Sequence, residues 1–378
     1  MVNAPPTVLI FSAGFGDGHN SAARGIISAI DEVSAGRVRA LKIDLFPESI
    51  PRLEVFLKWG YGFVTTHLPR VWGFMYRMAE KDSGKGNLGW KWFGDLHRHM
   101  RRQLATHQPV ATLSTFPMYP YLLAEDQWGV HQPRFNATVI TDSISINSVW
   151  TNAPTDHYFV TDKFSQEILI HQRNKPPASV ESTGFAVSPA FAKLHPRAAD
   201  APLASPFRIF YLATASLAEV SQTLLSLLRD TPASFHLTIG MGRHESRLGE
   251  KVRALAANFP HRSVTILGWT SNMPELLSTH DLILSKGGGA TVHECFAAGT
   301  PVMVNYFIPG QEEGNVDLLR HLGCGWYVPE NTHVGSRLAE LISSGQWQKC
   351  KANMLLHRNA DGARRIAQRT LEMSQLNL

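Results

Sequence analysis

The chain has 378 residues, 44% of them apolar, which suffices for two hydrophobic cores and excludes an intrinsically disordered protein. A formal net charge of +5 and a pI near 9.1 favour anionic partners such as nucleotides or acidic lipid headgroups. Cys295, Cys324 and Cys350 form no CxxC pair, which argues against a disulfide framework or a structural zinc. No apolar stretch approaches the ~18 residues of a membrane span, and the first apolar run lacks the length and basic flank of a signal peptide.

The first half alternates strands and helices. Apolar runs predict strands at residues 7–12, 38–44, 111–114, 137–141 and 157–160, with a helix over residues 21–33. That order implies a parallel sheet with helical crossovers. Gly14, Gly16 and Gly18 alternate just ahead of His19, between the first strand and its helix. GxGxG is not the GxGxxG dinucleotide fingerprint, although Asp44 at the end of the second strand keeps that reading open. The plain alternative is a tight turn with a surface histidine. Asp17 either tunes His19 or points to solvent.

Residues 52–102 carry four Lys and six Arg against two Glu and two Asp, with aromatic residues interleaved. This is the composition of an interfacial segment, for which Trp72, Trp90, Arg98, Arg101 and Arg102 are the candidate contacts. A helical core with a basic outer face is an equal alternative. Nucleic acid is disfavoured because the basic residues form no dense tract. His97 and His99 are too isolated for a metal site.

A Pro- and Ala-rich stretch over residues 191–206 predicts a linker between an N-terminal domain, 1–190, and a C-terminal domain, 207–345. Strands are predicted at residues 208–212, 235–239, 264–267, 282–285 and 302–305. The loop after the first of these holds Thr214 and Ser216 and no glycine. Gly268 and Trp269 follow the third.

After the fourth strand come Lys286, Gly287, Gly288 and Gly289, and a helix opens at about Ala290 and stops at Gly299. Bare backbone N–H groups and the positive dipole end at such a start suit a phosphate, with Lys286 or Arg243 as a cation. Thr291 and Glu294 have capping-box spacing. Gln311, Glu312 and Asn315 in the next loop offer donors and acceptors to a hydroxyl-rich ligand. Residues 346–378 read as a C-terminal helical segment.

Several of these segments, in one order, resemble one family. They are SAGFGDGHNSAA, VITDSISINSVW, HYFVTDKFSQEIL, ESTGFAVSPAF and DLILSKGGGATVHECFAAGTPVMVNYFIPGQEEGN. The family is that of the monogalactosyldiacylglycerol synthases and processive diacylglycerol glucosyltransferases, and the resemblance covers roughly residues 7–340. It implies an α/β GT-B fold, two Rossmann-like doubly wound domains facing a cleft. It implies inverting transfer of a hexose from a UDP-sugar to a lipid hydroxyl, diacylglycerol by analogy, on the cytoplasmic face of a membrane as a peripheral protein. The partners implied are the UDP-sugar, the lipid acceptor and an anionic membrane surface, with no nucleic acid.

By the same resemblance His19 is the base, a role that suits an imidazole titrating near neutrality, and Asp142 is the second catalytic candidate. Gly18 is a further loop candidate. Gly287 to Thr291 hold the diphosphate, Glu294 the ribose, Gly268 and Trp269 the uracil, and Gln311 and Glu312 the sugar. For Glu294 the helix cap competes with the ribose, and Trp269 has a core-edge alternative. The absence of Asp-x-Asp argues against a metal-held diphosphate, so neither metal nor cofactor is expected beyond the UDP-sugar. Two departures stand out: no glycine at 212–217, and Asp17 where relatives commonly have glycine. Transfer to another lipid or small molecule, UDP-sugar 2-epimerisation, and nucleotide-sugar binding without catalysis remain alternatives.

Overall fold

A computed structural model describes residues 5–82, 94–125, 132–231 and 234–376. The chain divides into two compact units. The first comprises Met1–Pro189, Pro309–Gly314 and Ala360–Leu378; the second, Ala190–Ile308 and Asn315–Asn359.

The first unit has a six-stranded parallel sheet in the order β2-β1-β3-β4-β5-β6. Its strands are β1 (Thr7–Phe11), β2 (Arg39–Ile43), β3 (Ala111–Ser114), β4 (Phe135–Val139), β5 (His157–Val160) and β6 (Val180–Ser182). Its helices are α1 (Gly18–Ser34), α2 (Leu45–Ser49), α3 (Pro51–His67), α4 (Pro69–Asp82), α5 (Gly94–His107), α6 (Tyr119–Glu125) and α7 (Lys163–Glu167). Every residue of β1, TVLIF, is buried, as a strand covered by helices on both faces requires. Each such Leu or Ile contributes roughly 1.5–3 kcal/mol.

The second unit repeats the plan in the order β12-β11-β10-β7-β8-β9. Its strands are β7 (Phe207–Leu212), β8 (Phe235–Gly240), β9 (Ser263–Leu267), β10 (Leu282–Lys286), β11 (Val302–Tyr306) and β12 (Gly325–Tyr327). Its helices are α8 (Leu217–Asp230), α9 (Glu245–Ala257), α10 (Met273–Thr279), α11 (Gly289–Ala298), α12 (Glu313–Leu322), α13 (Val334–Ser343) and α14 (Gln346–Leu356). The division between units falls inside α12, after Gly314. The last helix, α15 (Gly362–Met373), packs on α1 of the first unit, and Arg365 there donates to the Thr183 carbonyl at 3.3 Å. The segment expected as one block over residues 346–378 therefore parts after Asn359.

In each sheet the strand order reverses once, beside β1 and between β7 and β10. Ligands of doubly wound sheets bind at such points, outside the carboxyl ends of the strands. The loops that emerge there are Ser12–Asp17 after β1, Ala213–Ser216 after β7 and Gly287–Gly288 after β10. The expected strand at 137–141 instead ends at Val139. That releases Thr141 and Asp142 into the loop at the carboxyl edge of the first sheet.

Candidate functional site

In the first unit, α1 begins at Gly18 and seats His19 in its first turn. The imidazole is buried, 5.2 Å from the Phe116 ring and 5.9 Å from the Trp150 ring by centroids. Its Nδ1 lies 3.1 Å from Thr141 Oγ1. Burial pushes the pKa down to about 4, and a hydrogen bond to the Thr115 backbone only partly opposes this. The expectation of an imidazole titrating near neutrality is thus corrected: an apolar cage disfavours the charged ring. Asp17 lies on the solvent side, paired with Arg24 at 3.2 Å, and supplies no cap to α1. At the neighbouring Gly14 a Cβ would stand 2.7 Å from Lys58 Nζ, so a side chain there would require the lysine to move.

Asp142 follows Thr141 directly. Its Oδ2 accepts a 2.7 Å hydrogen bond from Trp150 Nε1, so one indole touches the surroundings of both His19 and Asp142. Burial raises the Asp142 carboxyl to about 7; the Trp150 bond opposes the rise and the Glu312 carboxylate adds to it. The side chain keeps partial exposure, which leaves it reachable. A carboxylate that titrates near neutrality is a functional-site signature.

Glu312 brings in the loop Pro309–Gly314, which belongs to the first unit. Gln311 Oε1 accepts from Tyr61 on α3 at 3.1 Å, and the Gly314 N–H donates to Ser145 Oγ at 2.9 Å. A Cβ on Gly314 would meet the Ser143 carbonyl at 1.8 Å, so only glycine permits this approach. Gln311 and Glu312, expected in the C-terminal domain as partners of the sugar, group with the first unit, to which Asp142 also belongs. Glu312 is 6% exposed there.

In the second unit, β10 runs into Gly287, whose N–H donates to the Tyr306 carbonyl at 2.8 Å. A Cβ on Gly287 would sit 3.0 Å from Val316 Cγ2 and 3.2 Å from Phe307 Cβ. Gly288 is the N-cap of α11 and makes no side-chain cap. The expected capping box of Thr291 and Glu294 is therefore absent: the helix starts at Gly289, three residues too early for Thr291 to cap it. Thr291 and Glu294 sit half-buried in the first two turns, with Ala290 ahead of them and Lys286 at the end of β10.

Asn315 is corrected as well. It is 2% exposed, and its Nδ2 donates to the Gly287 carbonyl at 3.0 Å, which braces the glycine turn, while its Oδ1 is buried without a hydrogen-bond partner. In the glycine-free loop after β7, Thr214 is exposed, whereas Ser216 is the N-cap of α8. The Ser216 Oγ accepts from Glu219 N, and Glu219 closes the box in return. Gly268 lies against the Glu245 carboxylate. Trp269 is 67% exposed, which excludes the core-edge alternative. Arg243 lies in a short 3-10 turn at Gly242–His244. Among the described residues no group of three or more His, Cys, Asp or Glu side chains converges as a metal site.

On α3 and α4 large apolar side chains face outward: Val55 is 67% exposed, Phe56 and Trp59 64%, and Phe74 59%. Trp72 is not among them. It is half-buried edge-on against Tyr61 at 5.2 Å, which corrects its assignment as a surface anchor. Trp90 lies outside the described residues. On α5, Leu96, Met100 and Leu104 are buried, whereas Arg98, Arg101 and Arg102 are exposed. No helix among the described residues is long and apolar enough to cross a membrane.

Sequence reasoning missed Thr141, Trp150 and Tyr61 as parts of this arrangement. The first was hidden by the misplaced end of β4, and the second was read only as the end of the VITDSISINSVW segment, with no role given to it.

Residues 19–187 match the family described as monogalactosyldiacylglycerol (MGDG) synthase, and residues 214–370 the glycosyltransferase family 28 C-terminal domain. The processive diacylglycerol beta-glucosyltransferase of Bacillus subtilis (strain 168) is 24% identical over 348 residues, 90% of this chain and 88% of the relative. That of Staphylococcus aureus (strain MRSA252) is 26% identical over 374 residues, 93% and 91%. Most of the chain is thus similar to the monogalactosyldiacylglycerol synthase and processive diacylglycerol glucosyltransferase family of GT-B glycosyltransferases. Within that family's fold, solved relatives include MurG of Acinetobacter baumannii, with TM-score 0.62 at 12% identity, covering 97% of this chain and 100% of that one. The UDP-GlcNAc 2-epimerase of Neisseria meningitidis has TM-score 0.61 at 13% identity, covering 97% and 100%. At these identities the likeness is one of fold.

Proposed function

We propose that the protein transfers a hexose from a UDP-sugar to the free hydroxyl of a diacylglycerol-type lipid at an anionic membrane surface, with inversion at the anomeric carbon. The observation that carries the lipid half of this reading is the apolar face of α3 and α4, with Val55, Phe56, Trp59 and Phe74 in solvent. A monomer rarely exposes so many large apolar side chains together unless they meet a partner or a bilayer. The curated relatives are named for diacylglycerol as acceptor, which favours the bilayer.

In the reaction the acceptor oxygen forms a bond to the anomeric carbon as that carbon's bond to the β-phosphate oxygen breaks. The electron pair leaves with UDP. The acceptor proton goes to Asp142, whose carboxyl at about 7 is better matched to the working pH than the His19 ring at about 4. His19, neutral, holds the acceptor hydroxyl by a hydrogen bond. Charge on the departing diphosphate meets the N-terminus of α11 at Gly288 and the Lys286 ammonium. Glu294 accepts from the ribose hydroxyls.

The test is to incubate the protein with radiolabelled UDP-glucose or UDP-galactose and vesicles containing diacylglycerol, then extract lipid. Label in the lipid phase, undiminished by EDTA, is expected. UDP-sugar turnover with no labelled lipid would overturn the reading in favour of epimerisation. Vesicle flotation examines the surface itself. Val55, Phe56 and Trp59 changed together to Ser should reduce binding to all vesicles. Arg98, Arg101 and Arg102 changed to Glu should abolish only the preference for anionic lipid and its salt sensitivity, since exposed charges are screened within ~8 Å at physiological ionic strength. Equal binding by both variants and the wild type would remove α3, α4 and α5 from the interface.

The donor half has its own prediction. Glu294→Ala should weaken UDP binding by ~1.5–3 kcal/mol, the worth of a charge-assisted hydrogen bond, as read by calorimetry. The melting temperature should fall by less than the loss of a helix cap would cause, because α11 starts at Gly288 without a side-chain cap. A large fall in melting temperature with unchanged affinity would make Glu294 a structural residue.

A further inference from the structure

The loop Pro309–Gly314 has little regular structure of its own. Gly310 sits at φ +82° against the Tyr76 ring, and Pro309 lies on Gly73 of α4. Its position is set from outside, by Ser145 at Gly314 and by Tyr61 at Gln311. Tyr61 makes three kinds of contact at once. Its ring meets Trp72 edge-on at 5.2 Å and Phe15 edge-on at 6.5 Å, and its hydroxyl donates to Gln311 Oε1 at 3.1 Å. Phe15 lies in the glycine loop that leads into His19.

The direction of the Tyr61 bond has a chemical consequence. A phenol that donates to Oε1 fixes which end of the Gln311 amide is acceptor and which is donor. The carbonyl oxygen is turned toward Tyr61 and the NH2 is turned away from it. A glutamine otherwise carries substantial rotamer entropy, which an ordering contact removes before a ligand arrives. Beside it, Glu312 is an acceptor-only carboxylate near Asp142.

We infer that Tyr61 is a positioning residue for the donor sugar: it locks the Gln311 amide so that its NH2 donates to a hexose hydroxyl oxygen while the Glu312 carboxylate accepts from a neighbouring hydroxyl. The inference rests on the reading of the protein as a hexosyltransferase. It predicts that selectivity between epimeric hexoses depends on a residue that touches no sugar.

The experiment compares UDP with UDP-glucose and UDP-galactose by calorimetry and by initial rates of lipid glycosylation. Tyr61→Phe should keep UDP affinity. It should lose about 3- to 10-fold in the extra affinity that the preferred hexose adds, and raise KM for that donor by the same factor with kcat little changed. Preference between the two hexoses should narrow. In a Gln311→Ala background, Tyr61→Phe should add nothing further, because the two act as a unit. Gln311→Glu keeps an acceptor for Tyr61 but has no NH2; it should lose the hexose increment at an unchanged melting temperature, and so reports independently of any folding defect in the phenylalanine variant. If wild type transfers hexose and both single variants bind UDP-hexose as wild type does, the inference is overturned and the transferase reading stands. Additive effects of Tyr61→Phe and Gln311→Ala would also overturn it. If wild type transfers no hexose and binds UDP-hexose no better than UDP, both fall.

Discussion

His19→Ala is expected to lower kcat by ~10–10²-fold, the worth of one hydrogen bond to the acceptor, while leaving UDP affinity unchanged. The affinity is spared because the glycine turn and α11 that would hold UDP belong to the second unit, whereas His19 belongs to the first. His19→Gln separates the two roles an imidazole can play. Glutamine still reaches for Thr141 and for an acceptor hydroxyl but takes no proton, and this variant should stay within about tenfold of wild type. Wild type, with its ring held near pKa 4, carries neutral His19 throughout the working range. A pH–rate limb near 7 should therefore survive in both variants, because Asp142 supplies it. Stability gives a second check. The folded ring's pKa lies below its ordinary 6.5, so between pH 6.5 and 4 the unfolded chain binds more protons and wild type loses stability as pH falls. His19→Gln should lack that loss. If instead the Gln variant is as slow as the Ala variant and the limb near pH 7 disappears, the imidazole takes the proton and the role given to Asp142 is wrong.

Much of the second unit was legible because its signals are local. The run Leu282–Leu284 is apolar, the glycines follow two residues later, and Gly299 ends the helix in the left-handed conformation at φ +67°. Each of these is a property of a few consecutive residues. The short edge strands β6 and β12 were not foreseen, since three residues each, VES and GWY, are too few for a period to show. The capping box failed for a different reason. Thr291 and Glu294 have the right spacing, but Gly288 and Gly289 need no side chain to begin a helix, so the start moved upstream. The site in the first unit was the least legible. His19, Thr141, Trp150, Asp142 and Glu312 come from segments far apart in the chain, and burial sets their protonation. No one-dimensional pattern announces that an imidazole will be caged by Phe116 and Trp150, or that a loop from residue 309 will settle beside residue 142. Trp72 illustrates the same limit: composition marked it as an interfacial aromatic, and packing turned it onto Tyr61.

Asp142→Asn is expected to be the most costly single change for catalysis and, at alkaline pH, a gain for stability. The two effects have one cause. Burial raises the carboxyl from its ordinary 3.8 to about 7, so the folded protein holds a proton there that the unfolded chain has already released. Between pH 4 and 7 the folded state binds more protons, and wild-type stability falls as pH rises through that window; above 7 the cost of the buried charge is fully present. Asparagine is nearly isosteric, still accepts from Trp150 through its carbonyl oxygen, and carries no charge. The variant's melting temperature should therefore match wild type near pH 4 and exceed it at pH 8. Its kcat should fall ~10²–10⁴-fold, because the group whose pKa is matched to the working pH has been removed. The pH–rate limb near 7 should vanish along with it, and UDP affinity should stay as in wild type. A variant that is slower but no more stable at pH 8 would mean that the carboxylate is ordinarily solvated and that its high pKa is no feature of the free enzyme. A variant that keeps its rate and its limb would return the base to His19, despite the cage that holds that ring neutral.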